Sequence, residues 1–165
     1  MDIINNKPTL TIELVPTTCF FSNVRSQIPK KEWDRVRKES YKQANYRCEV
    51  CGSSGLKQGY KHALECHEIW TYNDETKTQR LDGLVSLCPL CHQVKHMGRT
   101  TVIGRQPQAF KHLELVNGWD HKQVVNYVAE SFLIHRWRSN FEWKLDINML
   151  TEVYGVEKKL IKEGR

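Results

Sequence analysis

The sequence predicts an α+β fold in which a small core of two strands and a helix is flanked by further helices. Two short apolar runs, ALECHEIW and LVSLC, are bounded by polar turn-forming residues and are typical of strands. The segment PLCHQVKHM follows the second run and is typical of a helix that begins at a proline. Longer amphipathic segments lie on both sides of this core. Because 165 residues is the length of one ordinary domain, we expect a single domain over residues 1–165.

Residues 1–45 are expected to supply one strand and one helix. The run TLTIELV alternates in polarity and ends at Pro16, a pattern that predicts an early strand. In KKEWDRVRKESYKQANY, charged residues occupy most faces of a helix, and roughly one face holds Trp33, Val36, Ser40 and Ala44. This pattern predicts an amphipathic helix that leads into the cysteine-rich segment.

Residues 46–98 are expected to form the core, in the order strand, loop, strand and helix. Asp82 and Gly83 favour a tight turn between the strands. Gly98 is expected to stop the helix that follows.

Residues 99–165 are expected to form a helical extension. RTTVIGRQ is predicted to be a loop, and QAFKHLELVNG a short helix that ends at Gly118. Asp120 is a suitable N-cap for a longer helix, with Val125, Val128 and Phe132 as its buried stripe.

The charge balance favours a polyanionic partner. Lys and Arg outnumber Asp and Glu by 25 to 19, which gives a net charge of +6 and a pI near 9.0. Nucleic acid is the natural partner for such a chain, although solubility alone would also account for the excess. No stretch has the apolar length of a membrane span, and the N-terminus lacks the pattern of an export signal. We therefore expect a soluble, cytoplasmic protein with reduced cysteines and no membrane partner.

Four of the six cysteines predict a zinc site. CEVC and CPLC each place two sulfurs in one turn, and tetrahedral zinc binds two such pairs. A site closed by four protein ligands has no open position, so this zinc would be structural. The alternative is four buried, reduced thiols, and the remaining Cys19 and Cys66 are assigned no role. The proposed ligands are Cys48, Cys51, Cys88 and Cys91.

Three histidines predict a second metal site. His92 and His96 are four residues apart on the predicted helix and therefore share a face. A third ligand from a neighbouring element would complete a known metal-binding geometry, and His67 lies on the predicted strand ECHEIW beside Glu68. The alternative is that the three are ordinary histidines whose hydrogen bonds are satisfied within the core or at the surface.

The paired CxxC motifs, the strand ECHEIW and the helix LCPLCHQVKH together resemble the zinc-clipped HNH endonucleases of the ββα-metal fold. The resemblance covers residues 46–98, and the flanks resemble bacterial or phage HNH-type proteins, which implies a bacterial or phage-infected cytoplasm. In the family's first motif a metal-binding Asp or His precedes a catalytic His, and here these places hold His67 and Glu68. The family's middle Asn falls on Gly83. His92 and His96 match the metal-binding pair of the colicin-type members.

The resemblance implies hydrolysis of nucleic-acid phosphodiester bonds, most naturally of DNA, at a single divalent cation. Mg²⁺, Mn²⁺, Ni²⁺ or Zn²⁺ would be held by His67, His92 and His96, and an all-imidazole set favours transition metals over Mg²⁺. Catalysis would involve His67, His92 and Glu68, with Glu68 activating the attacking water. Alternatively, Glu68 is a metal ligand, or it accepts a structural hydrogen bond from Lys95 or from a backbone amide.

Cations near the second site are candidates for phosphate contact. We expect Lys95, Arg99 and Arg105 to fill this role. Two other functions remain open at this point. One is a catalytically inactive HNH-like module that binds nucleic acid or a protein partner, which the change from His to Glu at position 68 favours. The other is a zinc-stabilised regulator of another protein.

Overall fold

The computed structural model of the chain describes residues 8–20 and 22–162. It is a mixed α+β structure, as predicted, in which a three-stranded sheet is surrounded by helices. The strands are β1 (Glu65–Asn73), β2 (Thr78–Leu87) and β3 (Lys144–Asp146). The α-helices are α1 (Val24–Gln27), α2 (Lys30–Gln43), α3 (Pro89–Lys95), α4 (Met97–Val102), α5 (Gln106–Asn117), α6 (His121–Arg138) and α7 (Met149–Glu152). Short 3-10 turns lie at Thr17–Cys19, Gly55–Gln58 and Lys158–Leu160.

The sheet is built on the antiparallel hairpin of β1 and β2, which runs directly into α3. Both strands are longer than the apolar runs that predicted them, and β3, which was not predicted, pairs in parallel with β2. The hairpin turns at residues 74–77, where the Asn73 side chain accepts backbone hydrogen bonds from Glu75 and Thr76. The predicted turn at Asp82 and Gly83 is wrong. Gly83 pairs with Ile69 inside β2, and the register shifts at Asp82, so these residues form a β-bulge.

The N-terminal segment is extended but does not form the predicted strand. Its backbone bonds to helices instead of to a sheet edge. The Leu10 amide donates to Asn117 Oδ1 at 2.8 Å, the Asn117 amide donates back to the Leu10 carbonyl at 3.0 Å, and the Glu13 amide donates to the Lys95 carbonyl at 3.1 Å. The apolar alternation is used to bury Leu10 and Ile12 against these helices. The segment therefore lies as a strap across α3, α5 and α6.

Helix α2 confirms the predicted amphipathic helix. Val36 is fully buried on its inner face, and Ser40 is buried one turn later. The Ser40 hydroxyl lies 2.8 Å from the Ser86 hydroxyl of β2, so the helix is fixed to the sheet by a buried hydrogen bond as well as by packing.

The region after α3 differs from the prediction. The helix breaks at His96, whose φ and ψ are −95° and 46°, and α4 begins immediately and runs through Gly98. The predicted stop at Gly98 and the predicted loop after it are therefore wrong. Met97 and Thr100 are buried, which explains why this polar segment is helical. The turn comes instead at Gly104, where a φ of +75° favours glycine.

The ends of α5 and α6 follow the sequence signals. Gly118 closes α5 in the left-handed region with a φ of +65°. Asp120 caps α6 in a capping box with Gln123, in which each side chain accepts from the other residue's backbone amide.

The buried stripe of α6 contains two of its three predicted residues, with Val124 in place of Val125. Val124 and Val128 are buried, whereas Val125 is 42% exposed. Phe132 is partly buried and packs on the same core, as expected. Val124 and Val125 both fit the helical spacing to Val128 and Phe132. Which of the two is buried is decided by the strap and α5, against which α6 packs.

The buried residues form two clusters, one on each side of the hairpin. The first contains Leu10 of the strap, Val94 and Leu113 of helices α3 and α5, and three of the four CxxC cysteines. The second contains Val36 and Leu81 with residues of the C-terminal segment. The first cluster positions the candidate site, because the strap, β1 and α3 all meet there. Within the residues described, no helix combines the length and apolarity that a membrane crossing requires.

Candidate metal centres

The four CxxC cysteines converge on one point. Cys48 and Cys51 lie in a tight turn after α2, in which the Gly52 amide donates to the Cys48 carbonyl at 2.8 Å. Cys88 immediately precedes α3, and Cys91 lies in its first turn. The four sulfurs all lie within 4.8 Å of one another, and those of Cys51 and Cys88 are 3.5 Å apart.

This set can hold a metal such as zinc. All four cysteines are free thiols, and three of them are buried. Hydrogen bonds with Cys88 and Cys91 lower the pKa of Cys48, whereas hydrogen bonds with Cys48 and Cys88, together with burial, raise the pKa of Cys91. Sulfurs this close therefore cannot all ionise unless a cation neutralises them, which is the condition that tetrahedral zinc with four thiolates satisfies.

Two further side chains touch these sulfurs, and the sequence analysis assigned neither a role. His112 of α5 is buried, and its Nε2 lies 3.1 Å from Cys91 Sγ. The amide of Gln58 donates to Cys88 Sγ at 3.2 Å. His112 lies one turn after buried Ala109 and beside buried Leu113, so its place on the apolar stripe of α5 was a signal that this histidine has a partner in the core.

The three histidines of the predicted second site also converge. His67 comes from β1, whereas His92 and His96 come from α3 and its C-terminal end. One nitrogen of each ring lies within 4.8 Å of the others, and Nε2 of His92 is 3.1 Å from Nε2 of His96. His67 is only 4% exposed, whereas His92 and His96 are partly exposed. The cluster, hereafter the histidine site, is thus anchored in the core and reaches the surface on its α3 side.

The histidine site is desolvated. Burial and the neighbouring imidazoles lower the pKa of His96 to about 3, and burial lowers the pKa of His67. The rings of His67 and His96 are therefore neutral at pH 7 and have a lone pair to offer. Neutral imidazole is the form that binds a divalent cation, so the donor chemistry fits a metal.

Two carboxylates hold two of these rings, those of His67 and His92, and neither carboxylate was predicted from the sequence. Glu65 Oε2 contacts Nδ1 of His92, and Glu13 Oε2 lies 2.9 Å from Nε2 of His67. The His92 bond lowers the pKa of Glu65 to about 2 despite burial. Burial raises the pKa of Glu13, but hydrogen bonding to His67 and the charge of Lys95 outweigh it, and the pKa is about 2. An ionised carboxylate only accepts, so each ring donates an N–H and keeps its other nitrogen free for a metal.

Lys95 does not lie where the prediction of phosphate contact requires. It is 6% exposed, and its Nζ lies 2.5 Å from Glu13 Oε1 and 2.6 Å from Thr11 Oγ1. Its ammonium group is thus engaged by the strap. Arg99 and Arg105, in contrast, are exposed at α4 and at the start of α5.

Glu68 is adjacent to His67 in the chain, but its carboxylate is engaged elsewhere. Oε1 accepts the Val24 amide at 2.6 Å, and Oε2 accepts the indole N–H of Trp70 at 3.2 Å. Burial raises the pKa of Glu68, although these hydrogen bonds oppose the shift. The backbone-amide alternative from the sequence is therefore observed, and Lys95 is not its partner. The carboxylate still borders a cavity that His96 also lines.

Gly83, for which the resemblance to HNH endonucleases implied an Asn, faces apolar side chains. A Cβ at this position would lie 3.6 Å from Ile69 Cδ1 and 3.8 Å from Met149 Cε. A polar side chain here would enter the second core cluster, so the hairpin is braced by packing and by the bulge at Asp82.

Comparisons of the chain with protein-family models, with curated proteins and with solved structures find no match. A proposal for the function therefore has to come from the two clusters of metal-binding side chains and from the residues around them.

Proposed function

We propose that the chain is a metal-dependent endonuclease of the HNH type that hydrolyses phosphodiester bonds of nucleic acid, with DNA as the expected substrate. The observation that carries this proposal is the convergence of His67, His92 and His96 on one point, with two carboxylates holding the rings. Ordinary core histidines are satisfied by separate hydrogen-bond partners, whereas here one nitrogen of each ring lies within 4.8 Å of the other two. A metal ion would bind such a set of nitrogens.

The order of the elements supports the same proposal. The first ligand lies on β1, the hairpin returns through β2, and the other two ligands lie on α3, which is the order that the resemblance to HNH endonucleases implies. The cysteine cluster sits at the start of α3 and joins it to the turn after α2. A zinc ion there would fix α3 against the hairpin and so preserve the geometry of the histidine site.

The donor set indicates which cations suit the histidine site. Three imidazoles favour Zn²⁺, Ni²⁺ or Mn²⁺ over Mg²⁺, which prefers an oxygen environment. A divalent cation bound there would polarise the scissile phosphate and neutralise the leaving oxygen.

The remaining chemistry is assigned to the side chains. A water oxygen attacks phosphorus while its proton passes to the carboxylate of Glu68, and the bond from phosphorus to the leaving oxygen breaks as that oxygen takes a proton from solvent. To accept this proton, one oxygen of Glu68 must exchange its hydrogen bond to Val24 or Trp70 for one to the water. Arg99 and Arg105 are the exposed cations assigned to the flanking phosphates.

One observation favours a second candidate, an inactive HNH-like module that binds nucleic acid. Both oxygens of Glu68 already accept hydrogen bonds, from the Val24 amide and the Trp70 indole. A carboxylate satisfied in this way stabilises the fold without doing chemistry. The histidine site would then bind a metal for structure alone.

The test is cleavage of supercoiled plasmid in Mn²⁺, Ni²⁺, Zn²⁺ or Mg²⁺, together with duplex binding measured by fluorescence anisotropy. We expect nicked and linear products from the wild type and a loss of at least about 100-fold in His92→Ala, because a missing ligand removes the cation. Glu68→Gln is expected to lose activity while its metal content is unchanged. His121→Ala is the control, since that histidine is exposed and lies outside both sites. Binding without cleavage in any metal would support the inactive module instead.

A further inference from the structure

A cavity of about 470 Å³ opens beside the histidine site, between the strap, the hairpin, α4 and α6. Its volume falls within the range of roughly 300–1,000 Å³ that is typical of pockets for small ligands. His96 and Glu68 lie on its wall, so it is continuous with the proposed reaction centre. A ligand in this cavity would therefore lie directly beside the phosphate that the proposed function places at the histidine site.

The walls of this cavity are mostly apolar and partly aromatic. Trp70 and Phe132 are half-buried on two different elements, and Phe20 is 58% exposed on a third. Leu14 and Val15 of the strap also line the cavity. Aromatic walls of this kind accept a flat ring by stacking, and they do so with little regard to its identity.

The charged side chains of the lining are one arginine and two carboxylates. Arg99 of α4 is exposed and borders the same cavity as His96. The carboxylates of Glu13 and Glu68 also border it, but Glu13 is engaged by His67 and Lys95, and Glu68 by the Val24 amide and the Trp70 indole. An apolar cavity with an exposed arginine near a metal site suits a ligand that has one flat, weakly polar part and one anionic part. A nucleotide is such a ligand, because one sugar joins its flat base to its anionic phosphate.

We propose that this cavity, the base pocket, receives one unpaired nucleobase of the strand that is cut. The proposal rests on the proposed function, since it places the attached phosphate at the histidine site, and it adds the substrate class. A paired base cannot enter such a pocket, because its edge is engaged and both its faces are stacked. The preferred substrate is thus single-stranded or locally unpaired nucleic acid, with little preference for base identity.

Gly98 offers a matched pair of variants for the test. It lines the base pocket within α4, and a Cβ there would meet only Leu14 Cδ2, at 3.5 Å. Gly98→Ala therefore adds a methyl group at ordinary contact distance and serves as the control. Gly98→Leu fills part of the base pocket and leaves every proposed metal ligand in place.

The experiment measures binding and cleavage of a labelled single-stranded oligonucleotide in which an abasic nucleotide is moved stepwise along the chain. Binding is followed by anisotropy without added divalent cation, and cleavage is followed in Mn²⁺. For the wild type and Gly98→Ala, we expect one position at which loss of the base weakens binding about tenfold. For Gly98→Leu, intact and abasic strands should bind equally. Single strands should also bind more tightly than the corresponding duplex.

The two proposals fail in different ways. Equal binding of every abasic strand by the wild type, or tighter binding of the duplex, would overturn the base pocket whether or not the protein cleaves. A position-dependent loss of binding without cleavage in any metal would support the base pocket and overturn the nuclease.

Discussion

The carboxylate of Glu13 lies 2.9 Å from Nε2 of His67, although 54 residues separate them in the sequence. The other oxygen of Glu13 binds Lys95, so one side chain of the strap joins β1 to the end of α3. A hydrogen bond from carboxylate to imidazole fixes the orientation of the ring and the position of its proton. The strap is therefore part of the histidine site and not merely a cover for the core.

Replacing Glu13 with Gln is expected to weaken the histidine site without affecting the cysteine site. An amide accepts a weaker hydrogen bond from His67, and loss of such a carboxylate typically costs about 10–100-fold in metal affinity. Calorimetric titration with Ni²⁺ of protein that carries one zinc at the cysteines and no ion at the histidine site measures this loss. Glu130→Gln, on an exposed face of α6, should have no effect. An unchanged affinity in Glu13→Gln would show that the strap does not support the site.

Loss of a cysteine ligand should remove zinc and most of the stability. Cys88→Ser is expected to lose the ion held by the cysteines, so that at most one zinc per chain remains, and to lose more than about 4 kcal/mol of the free energy of unfolding, a range that loss of a metal site can reach. Zinc content and urea unfolding measure the two effects. Cys19→Ser is the matched control, because Cys19 is also buried but lies outside the cluster. If both variants kept their zinc, the four-cysteine site would be refuted.

His112 is expected to tune the zinc site. Its ring lies 3.1 Å from Cys91 Sγ, and an N–H donated to a thiolate is a charge-assisted hydrogen bond worth about 1.5–3 kcal/mol. His112→Ala should therefore still bind one zinc at the cysteines, but with an affinity at least about tenfold lower. Competition with a chromophoric chelator measures this affinity. If His112→Ala and the exposed control His121→Ala bound zinc with the same affinity, His112 would contribute only to packing.

Asn117 is expected to hold the strap in place. Its side chain accepts from the Leu10 amide and donates to the Leu10 carbonyl, and Leu10 is fully buried. Asn117→Ala leaves both backbone groups without their partner, which should lower the free energy of unfolding by about 1–3 kcal/mol. Urea unfolding measures the change, with exposed Asn126→Ala as the control. A loss no larger than that of the control would mean that the strap is held by Leu10 and Ile12 packing alone.

The sequence was most informative where ligands recur at fixed spacing. CxxC pairs and an i, i+4 histidine pair each have few geometric solutions, so both clusters of side chains could be predicted before their positions were known. The helix caps at Gly118 and Asp120 were predictable for the same reason, since each signal acts within one turn.

The predictions that failed depended on distant partners that no motif identifies. TLTIELV has the alternation of a strand, but a segment with its backbone bonded to Asn117 and Lys95 needs no neighbouring strand. Glu13, Glu65 and His112 reach their partners only through the tertiary fold, although a lone carboxylate within an apolar run was a usable signal for Glu13. The choice between Val124 and Val125 on α6 was likewise decided by the elements packed against that helix.

Counting the bound metal ions shows whether the histidine site is a metal site separate from the four cysteines. Elemental analysis of the protein equilibrated with Zn²⁺ and freed of excess metal should give two ions per chain. The variant in which His67, His92 and His96 are all replaced by Ala should give one, held by the cysteines. Two ions in the wild type and one in the variant is the result that two separate sites require. A single ion in both proteins would contradict the histidine site and, with it, the proposed nuclease.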